Sequence, residues 1–100
     1  PSDEEWKTLE IHLGMTQTEA NKTGWRGTNE GSQLAGNADL WVDDVLELDP
    51  EFGSSGFSAL PGGYRRVITG TFGDVGNNGT WWSSTELLPY SPYYRSVSRV

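Results

Sequence analysis

Trp81 and Trp82 stand side by side in "TWWSSTE" (residues 80–86), followed by Ser83, Ser84 and Thr85. A flat amphipathic ring beside hydroxyl groups suits contact with a sugar or a peptide. Successive strand residues face opposite sides of a sheet, so one ring is expected in the core and the other on the second face. The plain structural alternative packs both rings, one in the core and one under a loop. Trp25, Arg26, Tyr90, Tyr93 and Tyr94 flank Gly- or Pro-containing turns, where rings are harder to bury completely. Together with Trp82 they are the residues a ligand is expected to meet.

Other groupings select less. Arg65 and Arg66 alternate faces, and pairing with a carboxylate such as Asp43 or Glu47 is the expected use of one of them. Asp39, Asp43, Asp44, Glu47, Asp49 and Glu51 form the densest acidic run. Calcium needs six to eight oxygens, but this spacing matches no EF-hand loop, so a solvated loop is expected. His12 is the only histidine, lies inside a helical stretch and has no G-x-S-x-G elbow to serve. No pair of carboxylates is singled out for glycoside hydrolysis. Asn21-Lys22-Thr23 and Asn78-Gly79-Thr80 fit the glycosylation pattern, which often arises by chance. No catalytic residue, metal ligand or cofactor site is assigned, and folding is expected to need no metal.

The chain has 100 residues and a net charge of −7. Residues 1–60 carry 12 acidic and 3 basic side chains, whereas residues 61–100 carry 2 and 4. Phosphate binding needs a basic face, so nucleic acid is not an expected partner. No apolar run is long enough to span a bilayer. The absence of cysteine excludes disulfides, thiolate catalysis and Cys-ligated zinc. Leu, Ile, Val and Phe make up only 20 residues, so the five Trp and four Tyr are expected to make the core aromatic rather than aliphatic.

The elements that must position these residues fall in two groups. "PSDEEWKTLEIHLG" reads as a helix over 3–13: Ser2 and Glu5 form a capping box, acidic residues fill the first turn, and Gly14 ends it. A second short helix is expected over 17–23. Residues 24–56 read as irregular, with room for one helical turn in "GWRGTNEGSQLAG". Beyond residue 56 the pattern is of short strands: "FSAL", "YRRVITGTF", "TWWSSTE" and "YYRSVSRV". "ALPGGYR" is expected as a strand and tight turn with "TWWSSTE" beside it, and Gly62 and Gly63 allow positive φ. Helices followed by strands predict an α+β fold with a small antiparallel sheet.

Five segments in this order, "PSDEEWKTLEIHLG", "GWRGTNEGSQLAG", "SGFSALPGGYR", "WWSSTE" and "YYRSV", resemble the Fibrobacter succinogenes major paralogous domain over almost the whole chain. The helix and the "WWSST" strand also look like pieces of the C-type lectin-like fold used by formylglycine-generating enzymes. The activity there depends on cysteine, so it does not transfer. The resemblance implies a secreted or cell-surface protein, often a lipoprotein, with no established biochemical activity. The family's fuller domain has a section before the first helix and a C-terminal strand ending in a pattern like "GFSVRCV". Residues 1–100 are therefore expected to be a single domain, the C-terminal part of a longer family domain, with "YYRSVSRV" as an open sheet edge or frayed tail and weak stability for its length. The functional expectation is a monomeric, non-enzymatic module that binds carbohydrate or protein through its loops. The alternative is a purely structural module of an envelope protein.

Overall fold

A computed structural model describes residues 1–88 and 91–100. Helix α1 (Asp3–His12) begins where the sequence places it. The Glu5 N–H donates to Ser2 Oγ at 3.1 Å, and the Ser2 N–H donates to the Glu5 carboxylate at 3.3 Å. These two bonds satisfy amides that have no partner inside the helix. Helix α2 (Gln17–Ala20) starts on Thr16, whose hydroxyl accepts from the Glu19 N–H at 3.1 Å. It stops short of the expected end at 23, because the Lys22 N–H closes a tighter turn on Glu19 O at 3.1 Å. The one turn foreseen in the irregular region is α3 (Glu30–Leu34), and a 3-10 turn follows at Ala38–Leu40.

The strands form two separate antiparallel hairpins. In the first, β1 (Tyr64–Arg65) pairs with β2 (Phe72–Gly73). The expected single strand "YRRVITGTF" therefore folds back on itself. The Arg66 N–H donates to Thr71 O at 2.7 Å and the Gly70 N–H donates to Arg66 O at 2.9 Å, with Gly70 at φ +71°. In the second hairpin, β3 (Asn78–Leu88) pairs with β4 (Ser91–Ser98) in the register Gly79↔Val97, Trp81↔Arg95. The partner of "TWWSSTE" is thus "YYRSVS" and not "ALPGGYR", which meets β3 through Gly63 N–H to Asn78 O at 2.8 Å. Nor does "FSAL" join a sheet. Ala59 bridges Ala35 in parallel, with Ala59 N–H to Leu34 O and Gly36 N–H to Ala59 O, and Ser58 sits at φ +59°. The molecule is an α+β fold, helices first and antiparallel hairpins after.

Gly63 needs to be glycine. Its φ is +68°, and a Cβ there would run into the Gly73 carbonyl. Gly62, by contrast, has no positive φ and open space around it. The core differs from the expected aromatic one. Trp6 and Trp41 are buried, but alongside Met15, Ala20, Leu34, Ala35, Leu46, Ala59 and Val97. The large rings of Trp25, Trp82 and Tyr94 stay at the surface.

Candidate functional site

The capping box fixes the start of α1 and so its rotation. Asp3, Trp6 and Glu10, at helical spacing, form its buried face. The same end is tied to β3, with Asp3 N–H to Thr85 Oγ1 at 2.9 Å and Ser84 N–H to Pro1 O at 2.8 Å. On β4 the alternation turns Arg95 and Val97 inward, Arg95 toward α1 and Val97 into the cluster of Ala35, Trp41 and Leu46. Arg95 bridges two carboxylates, Nη1 to Asp3 at 2.8 Å and Nε to Glu10 at 3.0 Å. Glu10 also accepts two bonds from Arg26 Nη2, at 3.0 and 2.8 Å.

Arg26 comes from the 24–28 loop, which is held from both sides. The Gly27 N–H donates to Glu19 at 3.1 Å, and the Thr28 N–H donates to Glu30 at 2.7 Å. Gly24 and Gly27 have φ of +79° and +90°. The positive φ of Gly27 favours glycine, and a Cβ there, 2.5 Å from Glu30 Oε2, would push aside the carboxylate that holds Thr28 N–H. The Lys22 side chain, and after it the Gly27 N–H, hold the Glu19 carboxyl below its usual range. The loop presents Trp25 to solvent, 72% exposed.

Between β4 and this helix-and-loop wall runs a groove of about 810 Å³. Its floor includes Trp6, Leu46, Trp81 and Val97, and Phe57 meets Trp6 and Trp81 edge-on at 5.8 and 6.2 Å between ring centres. Trp25, Arg26, Tyr93 and Tyr94 all line it. Trp82 does not. It sits 65% exposed on the outer face of the hairpin, edge-on to Tyr94 at 5.7 Å. Tyr90 lies outside the described residues. The tryptophan pair thus splits as strand geometry demands, with Trp81 packed against the core cluster and Trp82 outside.

Two buried donors of the groove-lining side chains, Trp6 Nε1 and Arg26 Nε, have no hydrogen-bond partner among the described residues. The charges there balance in number, Asp3, Glu10, Glu30 and Asp49 against Lys7, Lys22, Arg26 and Arg95, and Asp3, Glu10, Arg26 and Arg95 pair directly. The described groove surface thus offers rings, paired charges and a few unpartnered donors.

The two adjacent arginines do not meet Asp43 or Glu47. Arg65 Nε donates to Gly70 O at 3.1 Å, and Arg66 Nη1 donates to Phe72 O at 2.9 Å. Both brace their own hairpin, because the turn between β1 and β2 brings its carbonyls within reach. Asp44 is taken by Arg99 at 2.6 Å, and Glu47 accepts from the Asp44 N–H at 2.7 Å. Among the described residues, no group of three or more carboxylate or imidazole side chains is gathered to hold a metal ion.

The family model of the Fibrobacter succinogenes major domain matches residues 1–98. The chain belongs to that family. No curated protein and no solved structure matches it. In this Fibrobacter succinogenes major domain the shared segments serve the groove. "PSDEEW" supplies its helical wall, "GWR" its loop, "WWSS" its floor and "YYRSV" its strand. Sequence reasoning missed Trp6, Glu10 and Arg95. The inward parity of Arg95 beside Val97 was the available signal.

Proposed function

We propose that this domain is a non-catalytic binding module of a secreted or cell-surface protein, and that the groove along β4 holds its ligand, a carbohydrate or a protein segment. One observation carries the reading. Four of the residues chosen for ligand contact, from segments far apart in the chain, line one concavity whose volume lies in the usual range for ligand sites. The surface location rests on what membership of the family implies. Among the described residues no helix is long and apolar enough to cross a membrane. A purely structural module is the second reading. The Asp3–Arg95–Glu10–Arg26 network favours it, since it ties helix, loop and strand together without any ligand.

The experiment presents the domain to a glycan array and to a displayed random-hexapeptide library. The parent domain retains at least one probe, and the Trp25→Ala/Tyr93→Ala variant, still folded by circular dichroism, loses it. A parent that retains nothing from either collection contradicts the binding reading and leaves the structural module.

A further inference from the structure

The groove has a directional wall. All of β4 lines it, Ser91–Ser98 together with Val100, whereas among the described residues of β3 only Trp81 does. The groove therefore follows the edge of β4 that faces away from β3. The phase of that edge can be read from one bond. The Arg99 N–H donates to Asn77 O at 2.9 Å, in line with the register Asn78↔Ser98 and Gly79↔Val97. In an antiparallel pair the residues that bond their partner alternate with those that do not. Arg99, Val97 and Arg95 thus turn their main-chain groups toward β3. Tyr94, Ser96 and Ser98 turn theirs into the groove, and their N–H groups have no backbone acceptor among the described residues. The far side of β3 is treated differently, because Pro1 O and Asp3 N–H already engage Ser84 and Thr85 there.

The lining balances four carboxylates, Asp3, Glu10, Glu30 and Asp49, against four cations, Lys7, Lys22, Arg26 and Arg95. The N–H row of Tyr94, Ser96 and Ser98 and the donors Trp6 Nε1 and Arg26 Nε are left over, whereas the Tyr94 carbonyl already accepts from Arg95 Nη1 at 3.4 Å. The complement to an alternating row of N–H and C=O groups is another main chain. Opposite the strand, at about the level of Ser98 and Val100, the loop 25–28 forms a second wall. An open, ungated strand edge is what proteins ordinarily cover or charge. Here it is lodged in a cleft, where two flat sheets cannot approach freely.

We propose that the groove binds an extended segment of a partner polypeptide, which adds to β4 as a third strand through Tyr94, Ser96 and Ser98. This deepens the binding reading and rests on it. The segment is about five residues long, to match Tyr94–Ser98, and carries no net charge. Its alternate side chains are apolar and face Leu46, Val97 and Trp81.

The test starts from a hexapeptide selected from the random library on the parent domain. Amide hydrogen exchange of the complex shows new protection at Tyr94, Ser96 and Ser98 and not at Arg95 and Val97, whose amides are already bonded. N-methylation at alternate peptide positions, one set at a time, lowers affinity about tenfold or more for the set facing β4 and little for the other. Ser96→Pro, which removes an outward N–H at an edge where proline is tolerated, weakens the peptide by a similar factor. Equal effects of both methylation sets, or protection elsewhere, overturn strand addition while ligand binding stands. Retention of glycans in the groove with no peptide selected does the same. Protection of the three amides that rises with domain concentration alone, with a dimer in sedimentation, assigns the edge to a second copy and overturns the partner peptide.

Discussion

Arg95 stands between Asp3 and Glu10, and all three side chains are about nine-tenths buried. Without Arg95, Glu10 keeps Arg26 at 2.8 Å and Asp3 keeps Lys7 at 3.4 Å, so the loss is of two charge-assisted bonds and not of all pairing. Arg95→Ala is therefore expected to cost about 1–3 kcal/mol, lowering the melting midpoint by roughly 4–8 °C per kcal/mol in a domain of this size. A midpoint unchanged within error would show that the network is slack in solution. Trp25 and Tyr94 behave in the opposite way. At 72% and 56% exposed they contribute little to the core. Each alanine variant is expected to change stability by about 0.5 kcal/mol or less, and Trp25→Ala to weaken a bound ligand by about 2 kcal/mol where the ring is an anchor. Parallel melts and binding isotherms separate the two effects. Exposure of this kind was legible for Trp25 and Tyr94, because glycine and chain-turn neighbours leave a large ring few places to pack. The role of Arg95 was not legible, because its carboxylate partners lie at the other end of the chain.

Elements whose signals are local followed the sequence closely. The Ser2–Glu5 box and the Gly14 exit set α1 within one turn of chain, and α1 ends one residue before the expected limit. The hairpins were harder, since nothing within "YRRVITGTF" marks which strand it pairs with, and it closes on itself at Gly70. The turn before it offers a paired test. Gly63→Ala meets the Gly73 carbonyl at a positive φ and is expected to destabilise by more than about 1 kcal/mol, whereas Gly62→Ala enters open space and changes little. Equal midpoints for the two variants would contradict the geometry of this turn. The loop wall of the groove offers a pH test. Glu19 is held below its usual range by Lys22 and the Gly27 N–H. Its depressed folded value means the carboxylate favours the fold above the ordinary glutamate range, and this is lost as pH falls through the folded value. An NMR titration should place the Glu19 midpoint below that of an unfolded peptide, with the Gly27 amide shifting in step. A midpoint at or above the peptide's would remove this tie from the loop.

At the scale of the molecule, the chain's composition foretold the class better than the interior. Counting rings predicted an aromatic core, yet the buried set is two tryptophans among small and aliphatic side chains. The rings that counting placed inside are instead at the groove rim and on the outer face of the hairpin. The groove itself was beyond sequence reading, because it arises where α1, the 24–28 loop and β4 meet across most of the chain. Part of the acidic run is likewise committed within the fold, as Asp44 bonds Arg99 and Asp44, Glu47 and Asp49 accept from nearby main-chain amides. Melts with EDTA and with millimolar calcium are therefore expected to overlay, and a calcium-dependent rise of more than a few degrees would contradict this.

The central claim is that the cleft between the 24–28 loop and β4 is the face on which this domain meets its ligand. Amide shift mapping by NMR tests it most directly, with the labelled domain titrated with whichever glycan or hexapeptide the screens return. The account predicts that shifts gather at Trp25–Thr28 and Tyr93–Ser98 and leave the β1–β2 hairpin, including its fully exposed Val67 and Ile68, in place. Shifts gathered at residues 64–73, with the cleft unmoved, would contradict it.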